Sequence, residues 1–146
     1  MVITKLEQNP RIRVLAYFLE VSYIKAEQLY NEGHWTVYTK GEREIKLYQQ
    51  LRFNLYGIPF GDLSKHSKIL NQMGKCVFVY LTRNVENYIL TDLIYKLIDD
   101  YDQLVEYLID EYGYGSFLSA YNDDEIKITS GTIFNIDQSY YLYRQV

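Results

Sequence analysis

The sequence predicts an α+β fold, a single compact domain over residues 1–146 with helices in the first two thirds and a small antiparallel sheet toward the C-terminus. Three observations predict it. Between Pro10 and Tyr112, apolar residues recur at spacings of three and four in runs closed by glycine, the period of helices with one buried face. After Gly113, short runs rich in Tyr, Ile and Thr are separated by turn residues, the pattern of antiparallel strands. The length of 146 residues, with 48% hydrophobic and 23% charged residues, suits one core and shows no disorder-like excess of charge.

Asn9-Pro10 reads as an N-cap followed by proline at the first helical position, and Gly33 as a stop, so one long helix is predicted between them. Its seam is Ile12, Leu15, Ala16, Leu19, Tyr23, Ala26 and Tyr30. Val14, Tyr17, Phe18, Val21 and Ile24 make its first half apolar nearly all round, which predicts burial on several sides. The same β-branched and aromatic residues leave a second reading open, a strand over Arg11 to Phe18 followed by a shorter helix. Trp35 to Thr39 reads as a short strand. Leu47, Tyr48, Leu51 and Leu55 mark a helix ending near Gly57, and Ile58-Pro59-Phe60-Gly61 a turn.

Asp62 or Ser64 caps a further helix carrying Leu63, Ile69, Leu70 and Met73, with Gly74 at its end. Cys76 to Thr82 is strand-like in composition. Arg83-Asn84 then either closes a hairpin onto Tyr88 to Thr91, or Asn84 caps a helix running into the next segment. Asp92 to Tyr112 is helical in pattern, with a break placed near Asp100 and Gly113 as the stop. The tail reads as strands at Ser116 to Tyr121, Glu125 to Thr129, Thr132 to Ile136 and Tyr140 to Arg144, with a turn at Asn122-Asp123.

No Gly/Ser/Pro-rich linker divides the chain, but its charge is uneven. Met1 to Lys75 holds 11 Lys/Arg against 7 Asp/Glu, and Cys76 to Val146 holds 4 against 12, so a net charge of −4 covers halves of +4 and −8. Two sub-lobes are therefore expected within the one domain. Residues 1–91 would be helix-rich and basic, and residues 92–146 an acidic helix with antiparallel strands. Tyrosine occurs 17 times, a bias toward a side chain enriched at interfaces, so some of these rings belong on the surface.

The apolar run Val14 to Ile24 is interrupted by Glu20 and shorter than the roughly 20 residues of a membrane span. Asn9-Pro10-Arg11 precludes a secretory signal, so the reading is cytosolic, with no membrane. Cys76 is the sole cysteine; no internal disulfide forms, and a buried strand thiol is expected.

Gly57-Ile58-Pro59, Leu63-Ser64-Lys65-His66, Lys68, Leu70 and Gly74 resemble the turn and recognition helix of winged helix-turn-helix regulators. The predicted order of a helix, a short strand, two helices and a hairpin from Pro10 to Thr91 is similar to that family's. The resemblance implies a DNA-binding transcriptional regulator. Ser64, Lys65, Lys68, Asn71 and Gln72 would face the major groove, and the C-terminal half would mediate homodimer or partner contacts.

The acidic constellation points elsewhere. On a helix Asp99, Asp102, Glu106 and Asp110 form one carboxylate stripe, flanked by Asp100 and Glu111, with Asp123-Asp124-Glu125 at a nearby turn and Tyr101 and Tyr107 among them. Carboxylates with aromatic rings can occupy a basic nucleic-acid channel on another protein, gaining steering from charge and anchoring area from the rings. The leading expectation is thus a non-enzymatic binding protein without cofactor or metal. It would be a small phage- or plasmid-type inhibitor, of the anti-CRISPR, antirestriction or immunity kind, acting on a basic nucleic-acid-binding protein.

Enzyme motifs are sparse. His34 and His66 stand apart in sequence, without metal-site spacing or a visible nucleophile, and no Gly-rich phosphate cradle occurs. Glu125-Ile126-Lys127 has the Glu-x-Lys form of metal-dependent nucleases, which makes a small nuclease the third reading. Glu44-Ile45-Lys46 repeats the form inside a predicted helix, a measure of how easily it arises by chance.

Overall fold

A computed structural model of the chain describes residues 8–129 and 138–146. It is mixed helix and sheet, with a small three-stranded antiparallel sheet, as the sequence pattern predicts. The expected strand Thr132 to Ile136 lies outside the described residues. Two compact units are distinguished, one of Met1–Ile45 with Tyr114–Val146 and one of Lys46–Gly113. Both ends of the chain therefore belong to the first unit, and the basic and acidic halves of the sequence are not the two units. Among the described residues no helix is long and apolar enough to cross a membrane.

In the first unit, α1 (Pro10–Leu19) begins as predicted: the Asn9 side chain accepts the Arg11 N–H at 3.0 Å, and Pro10 occupies the first position. The predicted long helix is two helices. Glu20 takes a left-handed conformation (φ 57°) that ends α1, and Ser22 caps α2 (Tyr23–Asn31) by accepting the Lys25 N–H at 3.2 Å. An N-cap serine inside an unbroken apolar period marks the break. Burial on several sides is also corrected, since Ile12, Val14 and Leu15 are buried while Tyr17 and Ile24 are 55% and 69% exposed.

β1 (Trp35–Thr39) follows, then α3 (Lys40–Phe53), whose first residues belong to this unit. After the second unit, the chain returns through α9 (Gly115–Leu118), β2 (Ile126–Thr129) and β3 (Ser139–Arg144). The strand expected over Ser116 to Tyr121 is instead this single helical turn and a loop. The turn at Asn122-Asp123 is present: Asp123 is left-handed (φ 60°) and Asn122 Oδ1 accepts the Asp124 N–H at 3.2 Å.

Strand order is β1-β3-β2, with Val37 opposite Leu142 and Ile128 opposite Tyr140. The central strand is buried on both faces, and its alternation divides the unit's interior. Tyr140 and Leu142 pack with Ile12, Val14, Leu15, Ala26 and Val37. Tyr141 and Tyr143 turn the other way, onto Leu118, Tyr38 and Tyr114. Several of the 17 tyrosines are thus core residues here, each burying a large apolar area.

The second unit is helical. The rest of α3 buries Leu47 and Leu51, one 3-10 turn covers Leu55–Gly57, and α4 (Phe60–Ser64) and α5 (Lys68–Met73) stand where one helix was expected. The Ser67 hydroxyl, accepting the Leu70 N–H at 3.1 Å, starts the second of them. α6 (Lys75–Asn84), α7 (Asn87–Leu97) and α8 (Tyr101–Tyr112) complete it.

The strand expected at Cys76 to Thr82, and the hairpin onto Tyr88 to Thr91, are helices instead. Within this unit's described residues there is no strand to pair with, and an unpaired strand leaves its backbone groups unsatisfied, so context overrides the β preference of Val77, Phe78 and Val79. Phe78 is buried and Cys76, Val77 and Tyr80 are exposed, so the expected buried strand thiol is an exposed helical one. The break near Asp100 and the stop at Gly113 (φ 78°) stand where the sequence puts them.

Candidate functional site

α8 has the capping the sequence announces. The Asp100 side chain accepts the Gln103 N–H at 3.3 Å, and Asp102 in the first turn suits the positive end of the helix dipole. Leu104, Val105 and Leu108 are fully buried and fix the rotation of the helix. Asp102, Glu106 and Asp110, four residues apart, are left exposed along one stripe. No ion pair or hydrogen bond engages these three side chains among the described residues. Asp92 on α7 is a contrast. It lies 2.9 Å from Arg52 and 3.0 Å from Lys96, and hydrogen bonds from Lys96 and then Arg52 lower its pKa.

The other predicted contact residues are placed differently. Asp99 precedes α8, and its Oδ2 accepts the Lys68 N–H at 3.1 Å, so the stripe is three residues long. Asp123 and Asp124 are exposed but belong to the first unit, in the loop before β2. Tyr101 and Tyr107 turn inward. The Tyr101 hydroxyl donates to the Tyr48 carbonyl at 2.7 Å, with the ring edge-on to Tyr48 and Tyr95. The Tyr107 hydroxyl donates to Asp62 Oδ1 at 2.9 Å and accepts from Lys65 Nζ at 2.9 Å. Buried Asp62 also accepts the Tyr112 hydroxyl at 2.5 Å, and that bond, ahead of desolvation, pushes the Tyr112 phenol up to about 12. The widely exposed rings of this unit are Phe53, Tyr80 and Tyr88, at 73%, 65% and 71%.

Four of the five residues expected to face DNA come together. Ser64, Lys65, Lys68 and Asn71 line an open cleft of about 360 Å³ with Ser67 and Asp99, while Gln72 is exposed on α5. The recognition helix would be α5, which has only 6 residues, and the hairpin of the winged-helix order is absent among the described residues because its sequence forms α6 and α7.

Glu125 is committed within the first unit. Its two carboxylate oxygens each accept from Arg43 Nη1 at 3.1 Å, and it accepts the Tyr143 hydroxyl. The Arg43 guanidinium lies between the rings of Tyr114 and Tyr141, 3.7 and 3.8 Å from their centres. Among the described residues no group of three or more His, Cys, Asp or Glu side chains could hold a metal. The sequence reading missed this cluster, although it carries one signal. Arg43, Leu47 and Leu51 are four apart, which puts an arginine on the buried face of α3.

The inward phenols have a consequence at high pH. Burial, the largest cause, raises the pKa of both Tyr101 and Tyr143, and in Tyr143 the bond to Glu125 adds to it. A phenol that holds its proton longer when folded contributes stability that is complete below the unfolded value, about 10, and is lost as pH rises through the folded value. Urea midpoints are therefore expected to hold from about pH 8 to 10 and fall above that. In an absorbance titration, part of the 17 tyrosines should ionise only as the protein unfolds. All phenols ionising together near their ordinary value in folded protein would contradict the burial.

Compared with known proteins, the chain matches no family model, no curated protein and no solved structure.

Proposed function

We propose that the chain is a non-enzymatic binding protein that docks the acidic stripe of α8 onto the basic, nucleic-acid-contacting surface of another protein and blocks it. One observation carries the reading: Asp102, Glu106 and Asp110 are exposed on one face of one helix and form no ion pair among the described residues, while the other face of that helix is locked into its unit. Repulsion along such a stripe costs a few tenths of a kcal/mol per pair, so it is carried cheaply, and a cationic partner relieves it. Its rigidity favours recognition, because a preorganised helix loses little freedom on binding. The stripe supplies steering and register.

The test is capture from a host lysate by the wild-type chain and by Asp102→Lys/Glu106→Lys/Asp110→Lys. These exposed substitutions should leave the fold intact. The wild type is expected to retain a nucleic-acid-handling protein that salt releases and that nucleic acid displaces. The triple variant should associate with it roughly 10- to 1000-fold more slowly. A partner held equally by both proteins would remove α8 from the interaction.

A further inference from the structure

The cleft of about 360 Å³ lined by Ser64, Lys65, Ser67, Lys68, Asn71 and Asp99 lies within the second unit, and the three carboxylates of the α8 stripe are not part of its wall. Its floor is fixed from two sides. The Asp99 N–H donates to the His66 carbonyl at 2.9 Å, and Asp99 Oδ2 accepts the Lys68 N–H at 3.1 Å. These reciprocal bonds tie the residue before α8 to the turn between α4 and α5. Ser67 sits in that turn, 2% exposed, its hydroxyl oxygen accepting the Leu70 N–H. The cleft is therefore formed before anything enters it, as most small-molecule sites are.

Its polar groups are only partly used. Lys65 Nζ is held 2.9 Å from the Tyr107 hydroxyl, itself anchored on buried Asp62, which leaves two of its three N–H groups. The Lys68 ammonium has no ion pair or hydrogen bond among the described residues. The Ser67 hydroxyl proton also has no acceptor among them, although the group is almost out of reach of bulk water. Asp99 Oδ1 and the Asn71 carboxamide are likewise uncommitted among the described residues. Two cations and a buried hydroxyl thus share one small space with a single carboxylate.

We propose that this cleft binds a small sugar monophosphate, the two lysines and Ser67 taking the phosphate and Asp99 with Asn71 taking sugar hydroxyls. A phosphate monoester carries about −1.5 to −2 charge at neutral pH and three strong acceptor oxygens, which answers two ammonium groups and one hydroxyl proton. Asp99 selects against a nucleic-acid strand, because a carboxylate repels a continuous row of phosphates while its free oxygen accepts from a hydroxyl. Free phosphate fills the donors and leaves that oxygen and Asn71 unanswered.

Amide chemical shifts of the full chain, titrated with ribose 5-phosphate, inorganic phosphate, ribose and a short DNA duplex, test it. Ribose 5-phosphate is expected to shift the Ser67, Lys68 and Asn71 amides saturably, and more tightly than any of the other three. Lys65→Met and Lys68→Met should each weaken it roughly tenfold, the loss of one charged hydrogen bond. Lys75→Met, an exposed lysine outside the cleft, should leave it unchanged. No saturable shift up to about 10 mM would overturn the proposal. So would phosphate or duplex binding as tightly as the sugar phosphate, or Lys75→Met weakening it as much as the cleft variants.

Discussion

Arg43→Ala is expected to destabilise the protein by about 3 kcal/mol, the low end of what breaking one side of a buried ion pair costs. Arg43 is 8% exposed, and its guanidinium fills the space between the Tyr114 and Tyr141 rings while donating to both oxygens of Glu125. Truncation removes two cation–π contacts and leaves a carboxylate facing a void. The low end applies because the Glu125 side chain keeps 26% of its exposure and can recover some hydration.

The pair itself is a smaller asset than this loss suggests. Among the described residues Arg43 Nε is buried without a hydrogen-bond partner, a penalty of about 1–3 kcal/mol already present in the native protein. Arg43→Leu/Glu125→Leu, which removes both charges, should therefore be less destabilised than Arg43→Ala. Denaturant unfolding of the three proteins decides it. Arg43→Ala within about 1 kcal/mol of wild type would mean that the cluster is not closed in solution.

What could be read from the sequence was local. Asn9-Pro10, Asp100 and Gly113 act within a turn of where they stand, and each sets the helix end it announces. The stripe on α8 was legible for the same reason, since a four-residue spacing places carboxylates on one face whatever else the chain does. Failures arose where partners are distant. Tyr101 reads as an outward ring until Tyr48, 53 residues earlier, supplies a carbonyl for its hydroxyl. Val77, Phe78 and Val79 favour a strand, but strand formation is decided by a pairing partner, and their unit offers helices. The split of charge between halves was real in the sequence, yet the chain ends share one unit, so halves of the sequence do not map onto halves of the structure.

Gly115→Ala is expected to be as damaging as a core truncation, about 2–3 kcal/mol, although it adds one methyl group. A Cβ there would lie 2.1 Å from the Asp123 carbonyl oxygen, 2.6 Å from its carbon and 2.8 Å from the Asp124 carbonyl carbon. All three are backbone atoms and cannot rotate aside. The loop must move, and it carries more than itself. The Ser119 hydroxyl donates to the Arg144 carbonyl at 2.7 Å, and Glu125 leaves the same loop to meet Arg43. Shifting residues 123 and 124 therefore pulls the carboxylate from its guanidinium. Gly115→Ala and Arg43→Ala should then be non-additive, the double variant losing less than the sum because both break one contact. Gly41→Ala is the control: a Cβ at Gly41 meets nothing within 4 Å, so that change should be neutral or mildly stabilising. Full additivity of the first two would separate the loop from the ion pair, and a harmless Gly115→Ala would deny the close approach of the two backbones.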